Sequence, residues 1–132
     1  MAFRCVVVTP EQQTLDESVS QVVLPAHDGL IGILTDRSPL LVKLGIGPLR
    51  VDLAGGQSRT YFIDGGIAQM KSNNLTILTN EARLPSEIDP ESARAEYAEA
   101  QARKATDPKT QEERARAMAR GLAKQQLAGK KS

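Results

Sequence analysis

The amino-acid sequence predicts an N-terminal antiparallel β-sandwich, or flattened barrel, followed by a C-terminal antiparallel helical hairpin. Short apolar runs separated by Gly, Pro, Asn and Asp turn signals fill residues 1–85. Near Leu84 the composition changes, and Ala, Glu, Arg, Lys and Gln take over. Two helix-start signals follow in residues 86–132. We therefore expect a β-sandwich domain over 1–85 and a two-helix hairpin over 86–132.

The first half of the β domain predicts five strands. Phe3–Val8 is the first, and residues 18–24 are the second, which we expect Pro25 to stop. Two short apolar strands follow, and then a strand whose alternating pattern indicates burial on one face. These three cover residues 31–34, 40–44 and 48–53. No helical segment of about 10 residues separates the strands, which argues against a parallel α/β fold.

The second half of the domain predicts three more strands joined by glycine and asparagine turns. Gly55-Gly56 suits a two-residue hairpin turn with both glycines at positive φ. Asp64-Gly65-Gly66 predicts a tight bend or bulge, and residues 71–74 predict another turn. The strands between these turns cover residues 59–63, 67–70 and 75–78.

The C-terminal segment predicts two helices. Asp89-Pro90 is a helix start, with Asp as N-cap and Pro at the first helical position, and the helix should reach residue 105. Thr110 and Glu113 have the spacing of a capping box for a second helix. That helix should end near Leu127, with Gly129 past its end.

The hairpin has little apolar material to hold it. We expect its stripes to be mainly alanine, and at about 0.8 kcal/mol per buried CH₂ such stripes contribute little. Gly121 in mid-helix costs about 1 kcal/mol more relative to Ala. The hairpin is therefore either a detachable switch element or a solvated tail. The expected stripes are Ala95, Ala98, Ala102 and Ala105, facing Ala115, Met118, Ala119 and Leu122.

Charge is segregated along the hairpin. Acidic residues outnumber basic ones over residues 86–113, whereas residues 114–132 carry basic residues and no acid. Arg116, Arg120 and Lys124 are four apart and form one ridge, which we call the basic ridge. The ridge predicts either an acidic partner or a solubilising face.

The sequence contains few residues in patterns typical of catalysis or metal binding. The single cysteine, Cys5, lies in an apolar run and is expected to be a buried hydrophobe. His27 is the only histidine, so any catalytic triad would depend on it, and with one Cys and one His a zinc site has too few nitrogen and sulfur ligands. With few aromatics and a net charge of +1, we expect no nucleic-acid partner. We expect no membrane span, no signal peptide, no cofactor and no enzyme activity, in a soluble intracellular chain.

Three markers together resemble the ε subunit of F-type ATP synthases, called δ in mitochondria. The first is the stretch from Gly29 to Leu41, with its Gly-x-x-Gly-Ile segment and Ser-Pro-Leu-Leu. The second is Tyr-Phe-Ile-Asp-Gly-Gly at residues 61–66, followed by Leu-Thr-Ile-Leu-Thr and Glu-Ala at 75–82. The third is the order of a β domain and an Ala/Arg/Glu helical pair. The resemblance covers nearly the whole chain.

The resemblance implies a non-catalytic rotor subunit on the cytoplasmic face of a bacterial inner membrane. Its β domain would bind the γ subunit and rest on the c-ring. Its hairpin would fold against the β domain or extend along γ. In the extended state the second helix, with its basic ridge, would meet an acidic loop of the catalytic β subunits and inhibit ATP hydrolysis. From the residues alone, a free-standing β-sandwich adaptor, whose basic tail binds an acidic partner, remains the alternative. The implied rotor-interface residues are Gly29, Leu30, Gly32, Arg37, Ser38, Pro39, Leu40 and Leu41.

Two departures from the family pattern matter. Asp36-Arg37-Ser38 replaces the usual Gly-His-Ala before the proline. Ile88, Asp89 and Ala93 match a motif that binds regulatory ATP in many bacterial members, but Ser92 stands where that motif has arginine. The missing guanidinium removes a bidentate phosphate donor. We expect weak or absent ATP binding, with Asp89 serving as an N-cap.

Overall fold

A computed structural model describes residues 2–128. Within them, seven strands precede a 3-10 turn at Pro85–Glu87 and two α-helices. No helix in this range is long and apolar enough to cross a membrane. Gly129, Lys130 and Lys131 lie outside the described residues. The strands are β1 (Phe3–Val8), β2 (Gln13–Ala26), β3 (Gly29–Leu34), β4 (Leu40–Leu53), β5 (Ser58–Lys71), β6 (Asn74–Leu78) and β7 (Ala82–Arg83); the helices are α1 (Pro90–Ala102) and α2 (Pro108–Leu127).

The strands form one sheet that closes into a flattened barrel. Its order is β1-β6-β5-β4-β2-β3, and β1 also pairs with β2, which closes a five-stranded ring. β3 lies outside the ring beside β2, and β7 pairs with β5. All pairs are antiparallel except β1 with β6, which run parallel. The expected β-sandwich is confirmed, with this one parallel pair that the turn signals did not reveal.

The core is aliphatic, as the low aromatic content requires. In β1 and β6, buried residues alternate with exposed or half-buried ones, whereas residues 61–65 of β5 are all buried. Cys5 is completely buried, and burial raises the pKa of its thiol to about 12, so it behaves as a small hydrophobe, as predicted. The largest fully buried side chains are Phe62, Leu24, Ile33, Leu49, Ile63, Met70, Leu75 and Ile77.

Several predicted strand ends are wrong because glycine and proline sit inside continuous strands. Residues 40–44 and 48–53 belong to one strand, β4, which pairs with β5 along its length. Residues 59–63 and 67–70 are likewise one strand, β5. β2 starts earlier than predicted and continues through Pro25, which pairs with Leu30 of β3. On the side of β2 that faces β4, the pairing is irregular between Val23 and Ala26. Pro25, which has no N–H to donate, therefore interrupts no regular hydrogen-bond ladder there.

The bend in β5 is confirmed and explains why glycine is needed there. Gly65 and Gly66 have φ of 66° and 110°. A Cβ on Gly66 would lie only 1.9 Å from the carbonyl oxygen of Leu78, so no side chain fits between β5 and β6.

The predicted turn after β5 is a two-residue loop, Ser72-Asn73, with both residues at positive φ. At the Gly55-Gly56 hairpin only Gly56 has positive φ, because the loop between β4 and β5 has four residues, 54–57, instead of the predicted two.

Both helices begin with the same Asp-Pro device. Asp89 accepts a hydrogen bond from the backbone N–H of Glu91, which confirms the predicted N-cap of α1. α1 ends at Ala102, three residues earlier than predicted. The predicted capping box of α2 is wrong, since its N-cap is Asp107, which accepts from the N–H of Thr110 at 2.8 Å. Because Pro108 cannot donate, it fits the first helical position.

The helices pack antiparallel, but on faces other than those predicted. Ala95, Ala98 and Ala102 are exposed on α1, and so are Ala115, Ala119 and Leu122 on α2; Ala105 lies beyond the end of α1 and, like Met118, is half-buried. The buried positions are instead Ala93 and Ala100 on α1, with Ala117, Gly121 and Leu127 on α2. The prediction failed because the helices turn toward the β domain as well as toward each other, so charged residues occupy part of the inner face.

Candidate functional site

The basic ridge faces inward, toward the β domain and α1. Arg116 Nη2 lies 3.9 Å from Asp64 Oδ1, and Arg120 Nη1 lies 3.4 Å from Asp64 Oδ2. Lys124 Nζ lies 3.4 Å from Glu81 Oε1. The hairpin is therefore docked on the β domain, and we call this set of ion pairs the docking seam.

Three carboxylates from three places in the chain meet the ridge. Asp64 comes from the bend of β5, and Glu81 from the connection between β6 and β7. Glu96 comes from α1 and contacts both Arg120 Nε at 3.4 Å and Lys124 Nζ at 3.3 Å. Three positive charges thus face three negative ones. Of the two predictions for the ridge, an acidic partner or a solubilising face, this conformation agrees with the first, and the acidic groups belong to the same chain.

The cations of the docking seam become less exposed toward the end of α2. The side chain of Arg116 is 54% exposed, that of Arg120 is 28% exposed, and that of Lys124 is 17% exposed. Lys124 also lies with its Nζ 5.3 Å from the centre of the Phe62 ring, a cation–π distance. Only the pair of Arg116 includes a well-exposed side chain, and a surface ion pair contributes about 0–1 kcal/mol. In the partly buried pairs of Arg120 and Lys124, the cost of removing the charges from water offsets much of their attraction. The electrostatic part of docking is therefore marginal and sensitive to salt.

A small apolar cluster lies beside the seam. Phe62 of β5 packs with Ile88, Ala93 and Leu127, so the end of α2 is the apolar anchor of the hairpin. The alanine stripes did not predict this role for Leu127 and Phe62, because neither residue lies on them. A signal was present, since Leu127 is the last apolar residue of α2.

At Gly121 the two helices approach each other closely. A Cβ there would lie 2.8 Å from the backbone N of Tyr97 on α1. Its presence in mid-helix, which reduces helix propensity, is therefore explained by the close packing of α2 on α1. A larger side chain at this position would collide with the backbone of α1, next to Glu96.

The pKa of Glu81 shows how the seam balances burial against charge. Burial raises the pKa of this carboxyl, but the hydrogen bond from Arg83 and the charge of Lys124 outweigh it, so the pKa lies below its ordinary value. Glu81 is thus held ionised at neutral pH in the docked state.

The residues of the predicted rotor interface lie at one edge of the sheet. Gly29, Leu30 and Gly32 are on β3, the outermost strand, where Leu30 is 69% exposed. Arg37, Ser38 and Pro39 form an exposed loop before β4. Leu41 is 69% exposed at the start of β4, whereas Leu40 is partly buried against the core. Leu40 therefore supports the fold, and only Leu41 of this pair offers an exposed contact.

The loop that departs from the family pattern is pinned by a reciprocal hydrogen bond. The backbone N–H of Asp36 donates to Asn73 Oδ1 at 2.7 Å, and Asn73 Nδ2 donates back to Asp36 Oδ1 at 2.9 Å. Asp36 has φ of 62°, a conformation that Asp tolerates better than most residues. The aspartate thus fixes the loop against the β5–β6 turn, which the sequence alone did not indicate.

The residues that match the ATP-binding motif lie at the start of α1 and form its N-cap and its buried face. Ile88 and Ala93 are buried, and Ser92 Oγ donates to Asp89 Oδ2 at 2.8 Å. That hydrogen bond and the N–H of Glu91 lower the pKa of Asp89. The cavity beside them measures about 240 Å³. Four carboxylates and two cations line it: Glu81, Glu87, Asp89, Glu96, Arg83 and Lys124.

No cluster of three potential metal-ligating side chains occurs within residues 2–128. His27 lies in the exposed loop between β2 and β3, and its backbone N–H donates to the carbonyl of Lys43.

Comparisons with known proteins agree on one family. Residues 2–85 match the family model described as "ATP synthase, Delta/Epsilon chain, beta-sandwich domain". The chain is 41% identical over 100 residues to the ATP synthase epsilon chain of Rhodopirellula baltica, covering 76% of this chain and 77% of that one. It is 35% identical over 134 residues to the epsilon chain of Rippkaea orientalis, covering 98% of each.

Solved structures share the fold. A chain of the Euglena gracilis mitochondrial ATP synthase, from an OSCP/F1/c-ring assembly, matches with a TM-score of 0.82 and 24% identity, over 92% of this chain and 78% of that one. A chain of the Tetrahymena thermophila mitochondrial ATP synthase central stalk and c-ring matches with a TM-score of 0.70 and 14% identity, over 93% of each.

Proposed function

Since this chain belongs to the delta/epsilon family of ATP synthase subunits, we propose that it is a non-catalytic central-stalk subunit of an F-type ATP synthase. In this role the β domain links the γ subunit to the c-ring and so couples ion transport to ATP synthesis. The observation that carries the proposal is the likeness to an epsilon chain over 98% of both sequences, hairpin included. The chain would be peripheral, at the cytoplasmic face of a bacterial inner membrane.

The second part of the proposal concerns the hairpin. In the docked conformation the ridge is occupied by Asp64, Glu81 and Glu96. When the hairpin extends, the same three cations become free to bind an acidic surface of the catalytic β subunit and inhibit ATP hydrolysis. Docking and inhibition therefore compete for one set of side chains. Because the individual ion pairs are weak, a modest affinity for the outside surface is enough to shift the balance.

The experiment measures ATP hydrolysis by the assembled complex. Changing Arg116, Arg120 and Lys124 together to Ala removes the ridge and should relieve inhibition. A matched control changes Arg94 and Arg103, which pair locally with Glu91 and Glu99 on α1.

The carboxylate side of the seam gives the opposite expectation. Asp64→Asn with Glu81→Gln weakens docking and leaves the ridge intact, so inhibition should increase. Unchanged hydrolysis in both the ridge variant and the carboxylate variant would refute the inhibitory role. Assembly of the wild-type chain with γ and the c-ring tests the stalk role separately.

We further propose that regulatory ATP binds weakly or not at all. The hydroxyl of Ser92 is engaged by Asp89, and the adjoining cavity is lined by more carboxylates than cations, which disfavours a polyphosphate. Isothermal titration with ATP tests this, and micromolar binding would contradict it.

A further inference from the structure

Two cations of the basic ridge are each shared between the β domain and α1. Arg120 lies 3.4 Å from Asp64 of the β domain through Nη1, and 3.4 Å from Glu96 of α1 through Nε. Lys124 Nζ lies 3.4 Å from Glu81 Oε1 and 3.3 Å from Glu96 Oε2. Each of these cations therefore has one carboxylate in the β domain and another within the hairpin itself.

Arg116 differs from the other two cations of the ridge. Among the ion pairs of residues 2–128, it pairs with Asp64 alone. When the hairpin leaves the β domain, the carboxylates of that domain stay behind, whereas Glu96 travels with α1. This first movement therefore frees Arg116, but the other two cations keep a negative partner.

The two helices are also tied to each other without help from the β domain. Near their connection, Arg114 Nη2 donates a hydrogen bond to the carbonyl oxygen of Gln101 at 2.9 Å. At the other end of the hairpin, Gln125 Nε2 donates to the carbonyl oxygen of Ala93 at 3.4 Å. The close approach of the helices at Gly121 lies between these two hydrogen bonds. All three contacts persist as long as α1 and α2 stay together.

The packing of the elements favours departure of the helices as a pair. α2 contacts β4 and β5, whereas α1 packs mainly against α2. α1 reaches the β domain through Ala93, which belongs to the small cluster with Phe62. Leaving the β domain together with α2 therefore costs α1 few of its contacts, while separation from α2 costs it most of them.

We propose that Glu96 is a second restraint on the basic ridge, which acts after the hairpin has left the β domain. In the first step the hairpin departs as a pair of helices, with Arg120 and Lys124 still paired to Glu96. Only the second step, separation of α2 from α1, exposes all three cations to an acidic partner. This inference rests on the proposed function, in which that partner is the catalytic β subunit and its binding inhibits ATP hydrolysis.

The first test measures ATP hydrolysis by the assembled complex. Glu96→Gln keeps the size of the side chain and removes its charge, so it should increase inhibition about two- to fivefold, the range expected for the loss of a weak ion pair. Glu99→Gln is the matched control, because Glu99 is also on α1, is 71% exposed and pairs with Arg103. The control should leave inhibition unchanged.

The second test measures distances between spin labels in the isolated full chain. One label is attached at Ala119→Cys on the exposed side of α2. Its partner is either Gln57→Cys in the exposed loop between β4 and β5, or Ala98→Cys on the exposed side of α1. Cys5 should stay unlabelled, because it is completely buried. The first label pair reports departure from the β domain, and the second reports separation of the helices.

The two steps predict different responses of the two distances. Asp64→Asn with Glu81→Gln should lengthen the distance between α2 and the β domain and leave the distance between the helices unchanged. Adding Glu96→Gln to this variant should then populate a longer distance between the helices. Circular dichroism of each variant verifies that the helices remain folded.

The outcomes separate this inference from the proposed function. If both distances lengthen together in the variant that lacks only the two β-domain carboxylates, departure in two steps is refuted. If Glu96→Gln leaves inhibition unchanged while removal of the ridge relieves it, the role of Glu96 is refuted and the proposed function stands. If removal of the ridge relieves nothing, the inhibitory function fails, whereas the distances in the isolated chain still decide whether the helices leave together.

Discussion

Replacing Gly121 with Ala tests how the hairpin is held together. The new Cβ would lie 2.8 Å from the backbone N, 2.9 Å from the Cα and 3.0 Å from the Cβ of Tyr97. Two of these atoms belong to the backbone of α1, so no rotamer change relieves the clash. Overpacking of this kind costs about 1–3 kcal/mol, which would shift the balance from the docked to the separated helices by roughly 5- to 150-fold.

The same substitution strengthens α2 as a helix. Gly to Ala adds about 1 kcal/mol of helix propensity in either conformation. We therefore expect circular dichroism to show equal or greater helix content, while hydrogen exchange of the α2 amides becomes faster as the helices separate. An increase in helicity combined with a loss of protection distinguishes a packing defect from simple unfolding.

Ala119→Gly on the exposed side of α2 is the matched control. It lowers helix propensity by a similar amount without approaching Tyr97, so it should reduce helicity and leave the α1–α2 packing in place. If Gly121→Ala keeps wild-type protection of the α2 amides, the close approach of the helices does not limit docking, and the explanation given for this glycine is wrong.

Three other outcomes are expected. Gly66→Ala should destabilise the β domain by about 3 kcal/mol or more in urea unfolding, because its Cβ would collide with the carbonyl of Leu78; wild-type stability would contradict this. The lowered pKa of Glu81 means that its stabilisation is complete above its unfolded value of 4.5 and is lost as pH falls through the lower folded value. The part of this stabilisation that Lys124 supplies exists only in the docked state, so docking should weaken in acid, and Glu81→Gln should remove part of that pH dependence. Cys5, with its pKa raised to about 12, should resist iodoacetamide at pH 8 until the chain unfolds; rapid labelling of the folded chain would refute its burial.

Strand existence was predictable from the sequence, but strand length was not. Turn chemistry located the bend at Gly65-Gly66 and the turn at Ser72-Asn73, because those backbone conformations are determined locally. Local signals also predicted ends at Pro25 and between Leu44 and Pro48, where the chain in fact continues. Pairing with neighbouring strands decided these cases, since a proline is tolerated wherever the adjoining ladder is irregular.

The helix starts show the same division. Asp89-Pro90 was identified because an N-cap is a local device. The equivalent Asp107-Pro108 was passed over in favour of Thr110, although Thr110 is part of that cap as its third helical residue. Periodicity also assigned the wrong buried faces, because it assumes that apolar residues face inward, whereas α2 turns arginine and lysine toward the carboxylates of the β domain.

The sequence by itself determined the β domain, the helical hairpin, the buried cysteine and the alignment of Arg116, Arg120 and Lys124 along one helix face. These depend on local propensity, composition and spacing. Only the tertiary structure decided what that ridge faces, because Asp64, Glu81 and Glu96 are far apart in the chain and meet through the closure of the barrel and the docking of α2. It also decided that Gly121 is a contact point and that Glu96 reaches both Arg120 and Lys124. Side chains from distant strands become neighbours only through register, which local sequence does not encode.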